Sequence, residues 1–293
     1  MFDPSPISPV KLLVLGATGM LGNAVLRLFA ESPGFEATGT VRTSGSRNLL
    51  PAGLADRVVV GVDVENPDAL VQLLSDLRPD VVVNCIGLVK QLAAADDPLA
   101  ALPVNALLPH RLARMCGLAG ARLVHVSTDC VFSGSKGMYL ETDVADAKDL
   151  YGKSKHLGEV DYPHAVTLRT SIIGHELAGA RGLIGWFLAQ EGSVRGYTHA
   201  IFSGLPTIEL ARVIRDHVIP RPELRGVYHV SAEPIAKYDL LRLVAEEYGK
   251  TIEITPDDRL HIDRSLDSSR FRGVTGYRPA PWRELVRRMR DYG

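Results

Sequence analysis

In the run Tyr151-Gly152-Lys153-Ser154-Lys155 a phenol and an ammonium stand four positions apart. On a helix that spacing puts both on one face. A free phenol keeps its proton until about pH 10. A neighbouring lysine favours the phenolate, so a tuned tyrosine can pass a proton to or from a carbonyl oxygen near neutrality. Upstream, an apolar run ends in Ser127-Thr128-Asp129-Cys130-Val131-Phe132. A hydroxyl at the C-terminal end of a buried strand can hold a substrate carbonyl for reaction, and Thr128 and Ser127 both offer one. Together these residues point to proton transfer at a ketone or alcohol.

A hydride donor is implied near the start of the chain. Gly16-x-x-Gly19-x-x-Gly22 follows an apolar run at 10–15 and opens an apolar-periodic stretch around 24–29. The first glycine permits a tight turn, the second clears space for a pyrophosphate, and the third lets the helix pack close to the sheet. Free N–H groups at the helix start then face the phosphates. Thr18, Met20 and Leu21 line the same turn. The acid that would bind the ribose hydroxyl of NAD is missing: the second strand ends in Thr40-Val41-Arg42, and an arginine suits the 2′-phosphate of NADPH. Ser44, Ser46 and Arg47 supply further donors. NADPH is therefore expected over NADH.

These groups need a scaffold that brings strand ends together. Apolar runs at 10–15, 35–41, 57–62, 80–85, 122–127 and 166–169 read as strands. Helical stretches are expected at 66–77, 98–118 and 151–160. The 80–85 run is continuously apolar until Asn84, as a strand buried on both faces should be. This alternation predicts an α/β fold: a Rossmann-type, doubly wound parallel sheet with the strand C-termini on one edge. Residues 1–173 form the expected dinucleotide-binding domain, joined by a returning segment, 207–232, with a helix at 207–217 and a strand at 226–230. Residues 174–206 and 233–293 form a smaller substrate-binding lobe, with helices at 238–248 and 282–289.

Bulk properties exclude several classes. The formal net charge of −1 gives no footprint for nucleic acid or an anionic membrane, and no apolar run is long enough to span one. Cys85, Cys116 and Cys130 lack zinc-site spacing, so no metal is expected. Their odd number and the absence of a secretory signal imply a cytoplasmic protein with reduced thiols. The first ten residues read as a loose, proline-rich tail. A homodimer through helices flanking the sheet is compatible with the fold.

The G-x-x-G-x-x-G spacing resembles that of extended short-chain dehydrogenases. Thr128 aligns there with the catalytic Ser/Thr, because Val131 and Phe132 match the pair that follows it. The resemblance gives Asp63 and Val64 an adenine-cradling role, brings Cys85 and Gly87 close to the cofactor, and makes Asn105 either a water link to the lysine or a local cap. More narrowly, Ser127–Gly134, the Tyr151–Lys155 run, Leu168-Arg169-Thr170-Ser171, Leu266-Asp267-Ser268-Ser269-Arg270 and Gly276-Tyr277 resemble the dTDP-4-dehydrorhamnose reductase family. That implies NADPH-dependent reduction of a 4-keto-6-deoxy sugar carried by a nucleotide, with Tyr151 as proton donor. Val89, Asp129, Arg169, Trp186 and Arg195 are its candidate substrate contacts. Ile172 stands where such enzymes commonly carry tryptophan, which leaves the base and sugar open. Two other readings share the fold. An NAD-retaining epimerase or dehydratase is disfavoured by Arg42 and by Cys130, which interrupts a dehydratase's acidic pair. A noncatalytic, NADP-binding regulatory subunit is disfavoured by the intact Thr-Tyr-Lys set.

Overall fold

The computed structural model describes residues 8–90 and 93–293; the expected N-terminal tail lies, up to residue 7, outside the described residues. Strands β1 (Val10–Leu15), β2 (Phe35–Val41), β3 (Val58–Val60), β4 (Val81–Asn84), β5 (Arg122–Thr128) and β6 (Ala165–Thr170) join the strand Gly226–His229 in one parallel sheet of seven. From one edge the order is Gly226–His229, β6, β5, β4, β1, β2, β3. The direction of winding reverses between β1 and β4, and ligands of such sheets bind in the crevice outside that point.

Alternation along β1 shows why the sheet is buried on both sides. Leu12 and Val14 pack with Val25, Leu26 and Phe29 of helix α1 (Met20–Ala30) and with Ile208. Leu13 and Leu15 pack with Leu70, Leu74, Leu108 and Leu112 on the opposite face. A third core, holding Phe187, Leu240 and Val286, belongs to the later part of the chain.

Some expected boundaries change for local reasons. The third strand is shorter than 57–62, because the chain turns away at Gly61 with φ +87°. The single helix expected over 98–118 is broken into Pro98–Ala101, a wide π-type turn Leu102–Leu107, and a helix Leu108–Ala119. Pro103 has no N–H to donate, and a wider turn accommodates the missing bond. The expected 207–217 helix likewise passes from α (Thr207–Val213) into π geometry (Ile214–Val218). The helix carrying Tyr151 and Lys155 spans Leu150–Leu157 rather than 151–160, with Asp149 capping it through a 2.8 Å bond from Gly152 N–H.

After Ile173 come a helix Leu183–Leu188, a strand pair Ser193–Tyr197 with Glu253–Asp257, and a small sheet. In that sheet Ala200–Phe202 lies between Ile235–Ala236 and Ile262–Asp263. The last helix, Trp282–Tyr292, runs three residues past the expected 282–289 and reaches α1. Arg27 Nη1 donates to the Tyr292 carbonyl at 2.6 Å and the Tyr292 hydroxyl to the Ala24 carbonyl at 3.2 Å. Among the described residues no helix is long and apolar enough to cross a membrane.

Candidate active site

The glycine turn is shaped by contacts between backbones. Gly16 has φ +83°, and a side chain there would meet Ile86. A Cβ at Gly22 would run into the Gly16 carbonyl, so α1 can begin against the turn only with glycine at that place. Gly19, before the first turn of α1, is exposed, and a Cβ there would already touch the Gly16 carbonyl at 3.4 Å, so its bare backbone leaves a cradle that fits a pyrophosphate. Thr40, not singled out by the sequence, fixes this turn from β2: its carbonyl accepts Ala17 N–H at 3.1 Å and its hydroxyl accepts Gly16 N–H at 3.3 Å. Thr18 is half-buried and Leu21 buried. The Met20 side chain lies against Gly174 and Gly182, which brings the segment before Leu183–Leu188 over the turn. Trp186, on that short helix, is partly exposed.

At the end of β2, Arg42 is exposed and only loosely paired, with Nη2 3.8 Å from Glu65. Its charge is available to a ligand. Arg47 is not: it bonds the Ala55 carbonyl and Asp56. Asp63 is exposed and accepts Glu65 N–H at 3.1 Å, while Val64 is buried in the sheet's second core. Val89, beyond β4, is exposed.

Strand alternation decides between the two hydroxyls of β5. Ser127 points away from the Thr128 corner and donates to Glu159 Oε1 at 2.8 Å. Thr128 Oγ1 accepts Cys130 N–H at 3.1 Å and donates to Asp129 at 3.3 Å, and its hydroxyl lies near enough to the Tyr151 phenol to act on it. Thr128 and Tyr151 thus meet at one corner. Gly152 makes this possible, since a Cβ there would strike the Cys130 carbonyl. Asp129 is buried, which pushes its carboxyl up against the opposing effects of Arg264, its hydrogen bonds from Cys130 and Thr128, and Lys237.

Lys155 is buried, and its ammonium donates to the Val126 carbonyl at 2.9 Å. Burial lowers it to about 8, against the pull of Glu159 and Cys85. The sequence led us to expect that this lysine would depress the Tyr151 phenol. Here burial acts most strongly and raises the phenol, with the Thr128 hydroxyl opposing it. Lys155 instead leans towards the loop after β4, where a Cβ at Gly87 would come within 3.7 Å of its Nζ. Cys85, at the mouth of that loop, is pushed up to about 12 by burial, partly offset by Lys155.

Asn105 lies wholly buried in the π-type turn and grips this loop. Its Oδ1 accepts Leu88 N–H at 2.9 Å, and its Nδ2 donates to the Leu88 carbonyl and to Ser154 Oγ. The amide is committed to these partners, which favours the local-fastener reading over the water link.

Arg169 requires a correction. It is buried and donates two parallel hydrogen bonds to Glu159, Nε to Oε1 at 2.8 Å and Nη2 to Oε2 at 2.6 Å, while Nη1 donates to His229 Nε2 at 2.8 Å. A guanidinium so engaged holds the fold and has no fork left for a substrate. Burial alone would raise Glu159; Arg169, His156 and Ser127 outweigh it and hold the carboxyl at about 2. Sequence reading missed Glu159, although it stands four residues beyond Lys155. Arg195 is exposed on the Ser193–Tyr197 strand, in a sheet separate from β5.

A doubly wound sheet with a glycine turn at its reversal and Thr128, Tyr151 and Lys155 at the neighbouring strand end defines a dinucleotide-fold protein of the extended short-chain type. The model of the RmlD substrate binding domain matches residues 10–291, and the chain belongs to that family. It is 25% identical to the dTDP-4-dehydrorhamnose reductase of Aggregatibacter actinomycetemcomitans, over 96% of this chain and 99% of that one. It is 29% identical to methionine adenosyltransferase 2 subunit beta of Danio rerio, over 82% of this chain and 74% of that one. Among solved structures, the dTDP-4-dehydrorhamnose reductase of Bacillus anthracis, in complex with NADP, has the same fold. Its TM-score is 0.80 at 19% identity, covering 99% of this chain and 100% of that one.

Proposed function

We propose that this protein is an NADPH-dependent reductase of a 4-keto-6-deoxy sugar linked to a nucleotide. The observation that carries the reading is the meeting of Thr128 and Tyr151 beside buried Lys155, at the strand edge that also holds the glycine turn. NADPH fits the cradle over Gly19 and the exposed Arg42, and when bound it supplies hydride to the ketone carbon. Thr128 holds the ketone oxygen through its hydroxyl. Tyr151 delivers its phenolic proton to that oxygen as negative charge develops there. The lysine ammonium lies close enough to the Gly87 loop to donate hydrogen bonds to the hydroxyls of a ribose. The NADP complex of the Bacillus anthracis relative and the similarity to a curated reductase support cofactor and reaction class.

The test mixes purified protein with NADPH, and separately NADH, and follows loss of the reduced nicotinamide band with a panel of nucleotide 4-keto-6-deoxy sugars. One sugar should drive NADPH oxidation. Tyr151→Phe should lower kcat by about 10²–10⁴-fold with dinucleotide binding intact. No oxidation with any sugar overturns the reading for that panel.

Similarity to methionine adenosyltransferase 2 subunit beta favours a second reading, a regulatory subunit that binds NADP without turnover. Silence across the panel, together with a stable protein partner, would favour it.

A further inference from the structure

Two polar side chains inside the sheet, Asn84 and His125, have no part in the chemistry above, yet both are wholly buried. They stand opposite each other where β4 ends beside β5, and the Asn84 amide meets His125 Nδ1 at 3.1 Å. The other end of the amide fixes the direction of that bond. Ile86 N–H lies 3.1 Å from Asn84, and a backbone N–H can only donate, so the atom facing it is Oδ1. Nδ2 therefore donates to the imidazole, Nδ1 accepts, and the ring proton sits on Nε2. Burial lowers the imidazole well below its usual range and keeps it neutral. Nε2 has no partner among the described residues, and the hydroxyl of Thr167, opposite it on β6, is taken up by the Val160 backbone.

This arrangement decides where the Lys155 ammonium rests. Cys85 N–H bonds the Leu15 carbonyl of β1, so the N–H groups on either side, of Asn84 and Ile86, face β5. In the register of Asn84 with His125, a strand running on would give Ile86 N–H to the Val126 carbonyl. Asn84 Oδ1 takes that N–H instead, and the strand ends. The Val126 carbonyl is left for Lys155, whose ammonium donates to it at 2.9 Å beside Gly87. Packing does not account for the histidine. Leu123, two positions back on the same face of β5, lies in an apolar core with Leu108 and Leu112. A bare N–H buried next to that core lowers stability, and a leucine would not.

We propose that Asn84 and His125 are positioning residues for Lys155. The imidazole fixes the amide, the amide turns Ile86 aside, and the freed carbonyl seats the ammonium where it reaches the ribose of the cofactor. This rests on the cofactor part of the reading above. Without the imidazole acceptor Nδ2 is stranded, the amide turns, and Ile86 N–H goes to the Val126 carbonyl in place of the lysine.

The experiment measures NADPH affinity by titration calorimetry and stability by urea unfolding in His125→Leu, His125→Asn, Lys155→Met, and Lys155→Met joined to His125→Leu. His125→Leu keeps bulk and loses the acceptor, whereas His125→Asn loses bulk and keeps an acceptor oxygen near the place of Nδ1. His125→Leu should weaken NADPH binding about tenfold, and Lys155→Met by at least as much. His125→Asn should stay within about twofold of the unaltered protein while unfolding more readily than His125→Leu. In the Lys155→Met background, His125→Leu should change the affinity no further. Where a sugar is reduced, kcat should fall in His125→Leu and recover in His125→Asn, with the sugar KM unchanged. Undiminished affinity in His125→Leu, a loss of equal size in the Lys155→Met background, or tighter binding by His125→Leu than by His125→Asn overturns the proposal, whether or not a sugar is reduced. The expected affinities with no sugar reduced support the proposal while the reductase reading falls. No binding of NADPH by the unaltered protein overturns both.

Discussion

At the glycine turn, backbone lies on backbone: Gly22 against the Gly16 carbonyl, Gly16 beside the Cys85–Ile86 segment, Thr40 fastening Gly16 and Ala17. A few strand positions away, the end of β5 is organised by buried polar side chains. Ser127, Glu159, Arg169 and His229 form a chain of bonds that ends at the Tyr139 carbonyl. The turn has shape without charge, and any added atom blocks it. The Glu159 network has charge held by geometry, and removing one member strands the rest. The two regions should therefore fail in different ways.

The largest effect is expected at Arg169. Arg169→Met leaves Glu159 buried without its partner, at a cost of about 3–5 kcal/mol in denaturant unfolding. Adding Glu159→Gln should recover much of it. A loss below about 1 kcal/mol for the single change would break the contrast.

His229 gives the network a pH signature. It is neutral, because its Nε2 accepts from Arg169 while Nδ1 faces the Tyr139 carbonyl as donor. Burial and Arg169 lower it from 6.5 to about 4. Between those values the unfolded chain binds the extra proton, so stability is full above 6.5 and falls as pH drops towards 4, by up to about 3 kcal/mol. His229→Gln should flatten that window in urea titrations at stepped pH. Glu159 acts lower still: its contribution is complete above 4.5 and lost as pH falls towards 2.

The turn should respond to bulk and not to pH. Gly22→Ala should destabilise by about 1–3 kcal/mol at every pH and abolish dinucleotide binding, as read by melting with and without NADPH. Binding that survives would sink the steric account. The smallest effect belongs to exposed Arg42: Arg42→Ala should weaken NADPH about tenfold, leave NADH unchanged, and shrink in high salt.

The contrast also explains what was legible beforehand. Glycine spacing reports backbone geometry directly, so the turn and the sheet around it could be read from Gly16, Gly19, Gly22 and the apolar runs. The end of β5 was half legible. Thr128, Tyr151 and Lys155 lie within one strand, one loop and one helix, and local periodicity places them. Arg169 was misjudged because its partners come from elsewhere in the fold: Glu159 from the segment between the Leu150–Leu157 helix and β6, and His229 from the neighbouring Gly226–His229 strand. Nothing local separates an arginine that greets a ligand from one that is spent. The broken 98–118 helix was foreshadowed by Pro103, but the grip of Asn105 on Leu88 depends on a loop 17 residues away.

The last helix clasps α1 through Arg27 and Tyr292, which stand 265 positions apart. During synthesis α1 leaves the ribosome long before its fastener exists. At ordinary elongation rates the delay is on the order of tens of seconds. Through that interval the side of the first helix that Tyr292 later covers is open to chaperones and proteases. The closing contact thus forms only once the chain has been made through Tyr292.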